Sequence, residues 1–205
     1  MGRHEEAIEL LSGLNETDAT PAQQRQTRFR LCESYFLAGK DELAKNSLQQ
    51  FVTDYPQDEL LAYTLPYLAE VELKAGNAEA AHRHYELAIS KFPQGPMIAE
   101  CQLGEAKTLE ALGKHELALA RYEQLSVDAY APLADKALFH AATLQNAMEQ
   151  HANALASWQT FLSRFPQSKM ALQAELAQAW TLFKLSQSEE AEKRFEILRT
   201  KQIGR

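Results

Sequence analysis

The residues of this chain that could carry chemistry are its histidines, cysteines, glutamates and Gly-Lys pairs, and their spacing decides what that chemistry would be. His4, His115 and His151 lie far apart along the chain, without the His-x-x-x-His or Glu-His spacing that sets two ligands on one helix face. His82 and His84 are two residues apart, which points them to different faces of a helix, so each reads as solvated or packed on its own. Cys32 and Cys101 stand outside any Cys-x-x-Cys spacing and imply neither a zinc site nor a disulfide framework; they read as small buried residues. Gly39-Lys40 and Gly113-Lys114 lack the upstream glycine and the following Ser or Thr of a phosphate loop, so nucleotide hydrolysis has no support. Glu189, Glu190, Glu192, Lys193, Arg194, Glu196 and Arg199 have the spacing of a paired solvent face, not of an acid/base dyad. Arg25, Arg28 and Arg30 form one compact basic cluster, suited to an acidic partner group or to a solvated helix face. The expectation is a chain with no catalytic residues, no metal and no cofactor, and hence not an enzyme.

The elements that must position these residues are legible from composition. Ala and Leu account for 61 of the 205 residues, whereas Val and Ile account for 8, and only 8 Gly and 7 Pro are available for loops. Few strands and short connections follow, so the chain is predicted to be almost wholly helical. A net charge of −7 repels nucleic-acid phosphates and anionic lipid. The chain shows no apolar run of the roughly 18 residues that span a bilayer, and Met1-Gly2-Arg3-His4-Glu5-Glu6 has no signal-peptide core or myristoylation pattern.

A short pattern recurs six times: a turn residue, Ala five positions later, and a bulky apolar residue four after that. Its copies are Gly2, Ala7 and Leu11; Gly39, Ala44 and Leu48; Gly76, Ala81 and Tyr85; Gly113, Ala118 and Tyr122; then, more degenerate, Glu149, Ala154 and Trp158, and Ser186, Ala191 and Phe195. The turn residues are 37, 37, 37, 36 and 37 positions apart. Each unit reads as two antiparallel helices. The turn glycine can take the left-handed conformation that ends a helix, and Asp41, Asn77 or Ser188 just beyond it can cap the next. Seventeen residues after a turn come Tyr55-Pro56-Gln57-Asp58, Phe92-Pro93-Gln94-Gly95 and Phe165-Pro166-Gln167-Ser168, where Pro stops one helix and Asp58 or Ser168 can cap the next. Thr20-Pro21 and Gly95-Pro96 place Pro at a first helical position. Pro21 and Pro132 fall two residues later than the others, which predicts slightly longer connections. Pro66 is expected to kink its helix or delay its start. Seven residues before each turn stands a small side chain, Cys32, Ala69, Ala106, Ala142 or Ala179, where the helices of a pair must approach closely.

The Gly, Ala and aromatic spacing with a helix-ending Pro resembles the tetratricopeptide repeat over essentially the whole chain, with units about three residues longer than the common 34. Phe51 to Pro56, and Phe161 to Ser168 with Ala174 and Trp180 beyond, are similar to repeats of bacterial cell-envelope proteins such as the Tol-Pal-associated periplasmic protein and the outer-membrane assembly lipoproteins. The resemblance implies an all-α, right-handed α-solenoid of about eleven helices. Its units would be a half repeat at 1–19 and repeats at 20–57, 58–94, 95–131, 132–167 and 168–205, forming one array. No polar capping helix is visible at either end, which predicts an excised piece of a longer protein and leaves the compartment open between cytoplasm and periplasm.

What such an array offers is shape. In tetratricopeptide proteins the first helix of each pair lines a concave groove, and positions thirteen, ten, six and three before each turn approximate that stripe here. It contains Phe29, Glu33, Phe36, Tyr63, Glu70, Leu73, Glu100, Lys107, Glu110, Lys136, Phe139, Trp180 and Phe183. The groove expected to bind a partner is Glu33, Phe36, Tyr63, Glu70, Lys107, Glu110, Lys136, Trp180 and Phe183. Aromatics mixed with charges suit an extended peptide or a partner helix. The alternative for several of these aromatics, Phe29 and Phe139 above all, is packing within or between repeats. The expected function is therefore a non-catalytic scaffold for protein or peptide partners, with no nucleic acid, no membrane insertion, and self-association through terminal helices. The alternative is a linker region of a larger bacterial envelope protein or enzyme whose activity lies in another domain.

Overall fold

The computed structural model describes residues 2–13, 19–128 and 131–203. Among these residues there are eleven helices and no strand: α1 (Gly2–Ser12), α2 (Pro21–Leu37), α3 (Asp41–Asp54), α4 (Leu61–Lys74), α5 (Ala78–Lys91), α6 (Ile98–Ala111), α7 (His115–Ser126), α8 (Ala134–Ala147), α9 (His151–Arg164), α10 (Ala171–Lys184) and α11 (Ser188–Ile203). They fall into two compact units, Met1–Leu112 with α1 to α6, and Gly113–Arg205 with α7 to α11. Within each unit every helix packs on the next in sequence, and alternate helices also touch, α2 on α4 and α4 on α6 in the first, α8 on α10 in the second. Consecutive helices joined by three-residue turns and packed side by side run antiparallel, the arrangement expected of helix pairs.

The turns form for the reason the spacing suggests. Gly39, Gly76 and Gly113 have φ of 69°, 81° and 71°, the left-handed region open to a residue without Cβ. At the first, Lys40 N–H donates to the Tyr35 carbonyl at 3.0 Å and Gly39 N–H to that of Phe36 at 3.0 Å, the paired bonds of a Schellman ending. The degenerate turn residues Glu149 and Ser186 take the same conformation, with φ of 61° each, and the bonds recur as Gln150 to Gln145 (2.9 Å) and Gln187 to Leu182 (3.0 Å). The backbone geometry of the repeat thus persists where glycine does not.

Capping differs from expectation. Lys40, Asn77 and Gln150 precede α3, α5 and α9 with ψ of 66°, 58° and 54°, and no side chain there bonds the first turn. A three-residue turn leaves no extended residue to aim a side chain back at the helix. Asp41 and Ser188 are instead the first residues of α3 and α11, and the Asn77 amide donates to Glu72 at 2.7 Å. Asp58 and Ser168 act one step earlier, accepting from the N–H of Leu60 (2.8 Å) and Met170 (3.3 Å) to close the turns that lead into α4 and α10. Pro96 lies in the turn before α6, which starts at Ile98, so it is not a first helical residue. Thr20-Pro21 does behave as read: Thr20 and Gln23 form a reciprocal capping box with Pro21 opening α2. Pro66 does not delay α4, which begins at Leu61 and runs through the buried proline to Lys74. Residues 127–133 between α7 and α8 outnumber by one the connections 55–60, 92–97 and 165–170. The other connection expected to be long includes 14–18, outside the described residues.

Each unit buries its own core. In the first, Phe29, Leu48, Phe51, Leu65 and Leu68 pack with Cys32 and Tyr85; in the second, Trp158 and Phe161 pack with Leu138 and Ala142. Trp158 and Phe161 stand four and seven residues after Ala154, one face of α9. The small residues fill the slots assigned to them: Cys32, Ala69, Ala106, Ala142 and Ala179 are at most 2% exposed. Gly104 marks a closer approach still. A Cβ there would stand 2.2 Å from Tyr85 Cζ, so the ring of α5 lies directly on the backbone of α6.

Candidate partner-binding surface

In the first unit the first helices of two adjacent pairs, α2 and α4, lie side by side. Phe36 of α2 stacks on Tyr67 of α4 with ring centroids 4.4 Å apart and planes at 22°. Charges ring this pair. Arg30 bridges to Glu33 at 2.7 Å, Lys74 to Glu70 at 3.2 Å, and Lys74 Nζ also stands 5.3 Å from the Phe36 ring centroid. Burial pushes the Tyr67 hydroxyl above its ordinary range, and the Glu33 carboxylate beside it pushes in the same direction. Tyr67 therefore stays protonated and keeps a donor at the centre of the patch. Tyr63 is half-buried, its ring 6.0 Å from Phe29.

The structure thus brings Glu33, Phe36, Tyr63 and Glu70 of the expected stripe onto one face. It adds three residues the stripe omitted: Tyr67, Arg30 and Lys74. Tyr67 stands nine residues before Gly76, one position outside the four sampled. Its helical spacing, four after Tyr63 and three before Glu70, is the signal that would have included it. Phe29 belongs to the core, 6.0 Å from Phe51. On α6, Glu100 is exposed while Lys107 and Glu110 are half-buried, and on α4 Leu73 is half-buried.

The second unit is different. Lys136 on α8 is exposed, and Phe139, partly buried, packs edge-on against Trp158 at 5.1 Å and Phe161 at 5.8 Å of the core cluster. On α10, Trp180 and Phe183 are 53% and 52% exposed. They meet edge to face at 6.0 Å, and Trp180 leans on Phe195 of α11 at 5.3 Å.

Other residues with chemical reach are absorbed locally. The arginine cluster is divided: Arg25 pairs with Asp58 at 3.0 Å, Arg28 with Asp54 at 3.1 Å, and Arg30 with Glu33, so it presents no joint basic surface. The α11 charges pair along the helix, Glu189 with Lys193, Glu190 with Arg194 and Glu196 with Arg199. Both cysteines are buried and unbonded to each other; burial pushes the Cys32 thiol up and the Cys101 thiol up to about 12. His151 opens α9 with Nδ1 3.1 Å from Asn146 Oδ1. His84 is held below its ordinary range by burial, against the pull of nearby Glu72. His82 is not packed alone. Among the described residues, it forms with Glu86 and Glu105 the one group of three whose nitrogen or carboxylate donors all lie within 4.8 Å of one another.

The helix pairs, the left-handed turns and the small-residue slots define a class: an all-α helical-repeat fold, similar to that of tetratricopeptide repeat proteins. The tetratricopeptide repeat model matches residues 26–58 and 136–168, one stretch in each unit. No curated protein matches the chain. Solved structures share its fold. The C-terminal part of a TPR repeat-containing protein from Cytophaga hutchinsonii superposes with a TM-score of 0.73 at 14% identity, over 96% of this chain and 73% of that one. The 41-end form of MamA from Desulfovibrio magneticus RS-1 does so with a TM-score of 0.72 at 14% identity, over 88% and 96%. The nearly identical TPR-like repeats of a kinesin light chain-like protein from Podosopora anserina give 0.70 at 17% identity, over 87% and 95%. Repeats of this type are generally non-catalytic and bind protein partners. No helix among the described residues is long and apolar enough to cross a membrane.

Proposed function

We propose that this chain is a non-catalytic scaffold that binds an extended peptide or a partner helix on the α2/α4 face of its first unit. The observation that carries the reading is the Phe36–Tyr67 stack, partly buried and flanked by Arg30–Glu33 and Lys74–Glu70. An apolar anchor surrounded by charges of both signs supplies affinity at its centre and register at its rim. The charges already satisfy one another, so a partner exchanges pairs without leaving a charge bare. The net charge of −7 and the dispersal of Arg25, Arg28 and Arg30 among carboxylates favour a protein partner over nucleic acid. Lys107 and Glu110 on α6 extend the face. In the second unit, Lys136 and the exposed pair Trp180 and Phe183 offer a separate contact.

The test is selection of peptides from a displayed library on the full chain, followed by calorimetry of the enriched sequences. Charge reversal of Glu33 and Glu70 with Tyr63→Ala is expected to weaken binding at least tenfold while the circular dichroism spectrum stays helical. Peptides that bind the triple variant as tightly as the parent chain would refute this face as the site.

A further inference from the structure

We propose that His82, Glu86 and Glu105 form a binding site for one divalent transition-metal ion of the zinc type, built across the α5–α6 pair. His82 and Glu86 are four residues apart on α5 and share one face, with Nε2 3.5 Å from Glu86 Oε1. Glu105 comes from α6 and is buried at 8% exposure. Donors about 2.1 Å from a tetrahedral zinc ion stand about 3.4 Å from one another. The His82–Glu86 separation already fits, and Glu86, whose side chain is 58% exposed, can rotate to close the rest of the 4.8 Å spread.

Hydrogen-bond direction supplies an independent argument. The Thr108 hydroxyl donates its single proton to the Glu105 carbonyl at 2.7 Å, since a carbonyl can only accept. Thr108 Oγ1 also lies 3.3 Å from His82 Nδ1, and with its proton committed it can only accept there. Nδ1 therefore carries a hydrogen, and in the neutral ring Nε2 turns a lone pair toward the carboxylates. With the ring neutral, three electron-pair donors then face one another within 4.8 Å, one of them from a buried residue, the arrangement that a divalent cation takes up. The Thr108 bond also has the form of the outer contact that orients a ligating histidine. One imidazole with two carboxylates suits zinc, cobalt or nickel better than calcium or magnesium, which favour oxygen alone.

The experiment is calorimetric titration of the untagged full chain, stripped with EDTA, with Zn2+ alone. One equivalent is expected to bind, and to be lost in His82→Gln. Glu105→Gln and Glu86→Gln should each weaken it at least tenfold, and Thr108→Val about tenfold with every ligand retained. His84→Gln, on another face of α5, should bind as the parent does. In parallel, Zn2+ should move the 15N resonance of His82 Nε2 and not that of Nδ1. Circular dichroism reports the folding of each variant, and Glu86→Gln, at the surface, removes a ligand without touching the core. Zn2+ binding that is absent, or that persists undiminished in His82→Gln and Glu86→Gln, overturns the proposal. So does an Nε2 that holds a proton which Zn2+ fails to displace, since the cluster would then be a histidine–carboxylate ion pair only.

Discussion

Single side chains in this protein are governed by burial before anything else. The two thiols show it: Cys32 fills a slot where α2 must approach its partner, Cys101 sits in the same core cluster, and both are held protonated. Ellman's reagent at mildly alkaline pH is expected to leave both unmodified in the native chain and to titrate both once it is denatured; rapid reaction of either under native conditions would contradict the packing. The two tryptophans divide the other way, Trp158 at 1% exposure and Trp180 at 53%. Acrylamide should quench only part of the emission, and Trp180→Phe should remove that part.

Burial also sets the response to acid. Glu72 is buried and burial alone would raise its carboxyl, but hydrogen bonds from Asn77 and Lys45 outweigh that and hold it below its ordinary 4.5. The unfolded chain then binds that proton more readily, so the stability it contributes is complete above pH 4.5 and is lost as pH falls. His84 lies below its ordinary 6.5, so the unfolded chain is again the first to be protonated and stability declines as pH drops below 6.5. Thermal midpoints measured from neutral to acid pH should fall in two stages, and His84→Gln should flatten the upper one. An unchanged profile in that variant would show that His84 is not the group responsible.

At the scale of helices and turns, the sequence is most readable where one residue type meets one geometric demand. Small residues at a fixed offset mark close helix contacts, and the turn positions mark left-handed backbone, even at Glu149 and Ser186 where glycine is absent. An L residue held there costs about 1 kcal/mol more than glycine. Glu149→Gly and Ser186→Gly are each expected to raise stability by about that amount, and Gly39→Ala to lower it similarly, as read from denaturation midpoints. Reading falters where the answer lies on another helix. The partners of Arg25 and Arg28 are 33 and 26 residues away, and the partner of His82 on α6 is similarly remote, so one segment viewed alone shows a basic cluster and an isolated histidine. Capping is hard to read for a related reason: residue type favours Asn and Asp there, but a turn this short withholds the extended conformation that a cap requires.

For the molecule as a whole, composition alone foretells the helical class, and the 37-residue period foretells the pairing. The division into two compact units is carried by contacts that no pattern of residues displays. Each unit has its own aromatic core, centred on Phe29, Phe51 and Leu65 in one and on Trp158 and Phe161 in the other. Residues 1–112 and 113–205 produced separately are expected to be helical and to melt cooperatively. A non-cooperative transition in either would mean that its core is insufficient by itself.

The contact between Gly104 and Tyr85 reaches further than its size suggests. A glycine inside α6 forfeits about 1 kcal/mol of helix propensity, and what the protein obtains is room for a neighbour's ring. Gly104→Ala should therefore destabilise the chain by about 1–3 kcal/mol despite alanine's better propensity, and Tyr85→Leu in the same chain should recover part of the loss. Neither residue makes sense by itself, since the volume one lacks is the volume the other brings. In engineering terms the interchangeable part is then the α5–α6 hairpin and not the single helix: grafted alone into another array, α6 would carry a gap, and α5 a ring with nowhere to go.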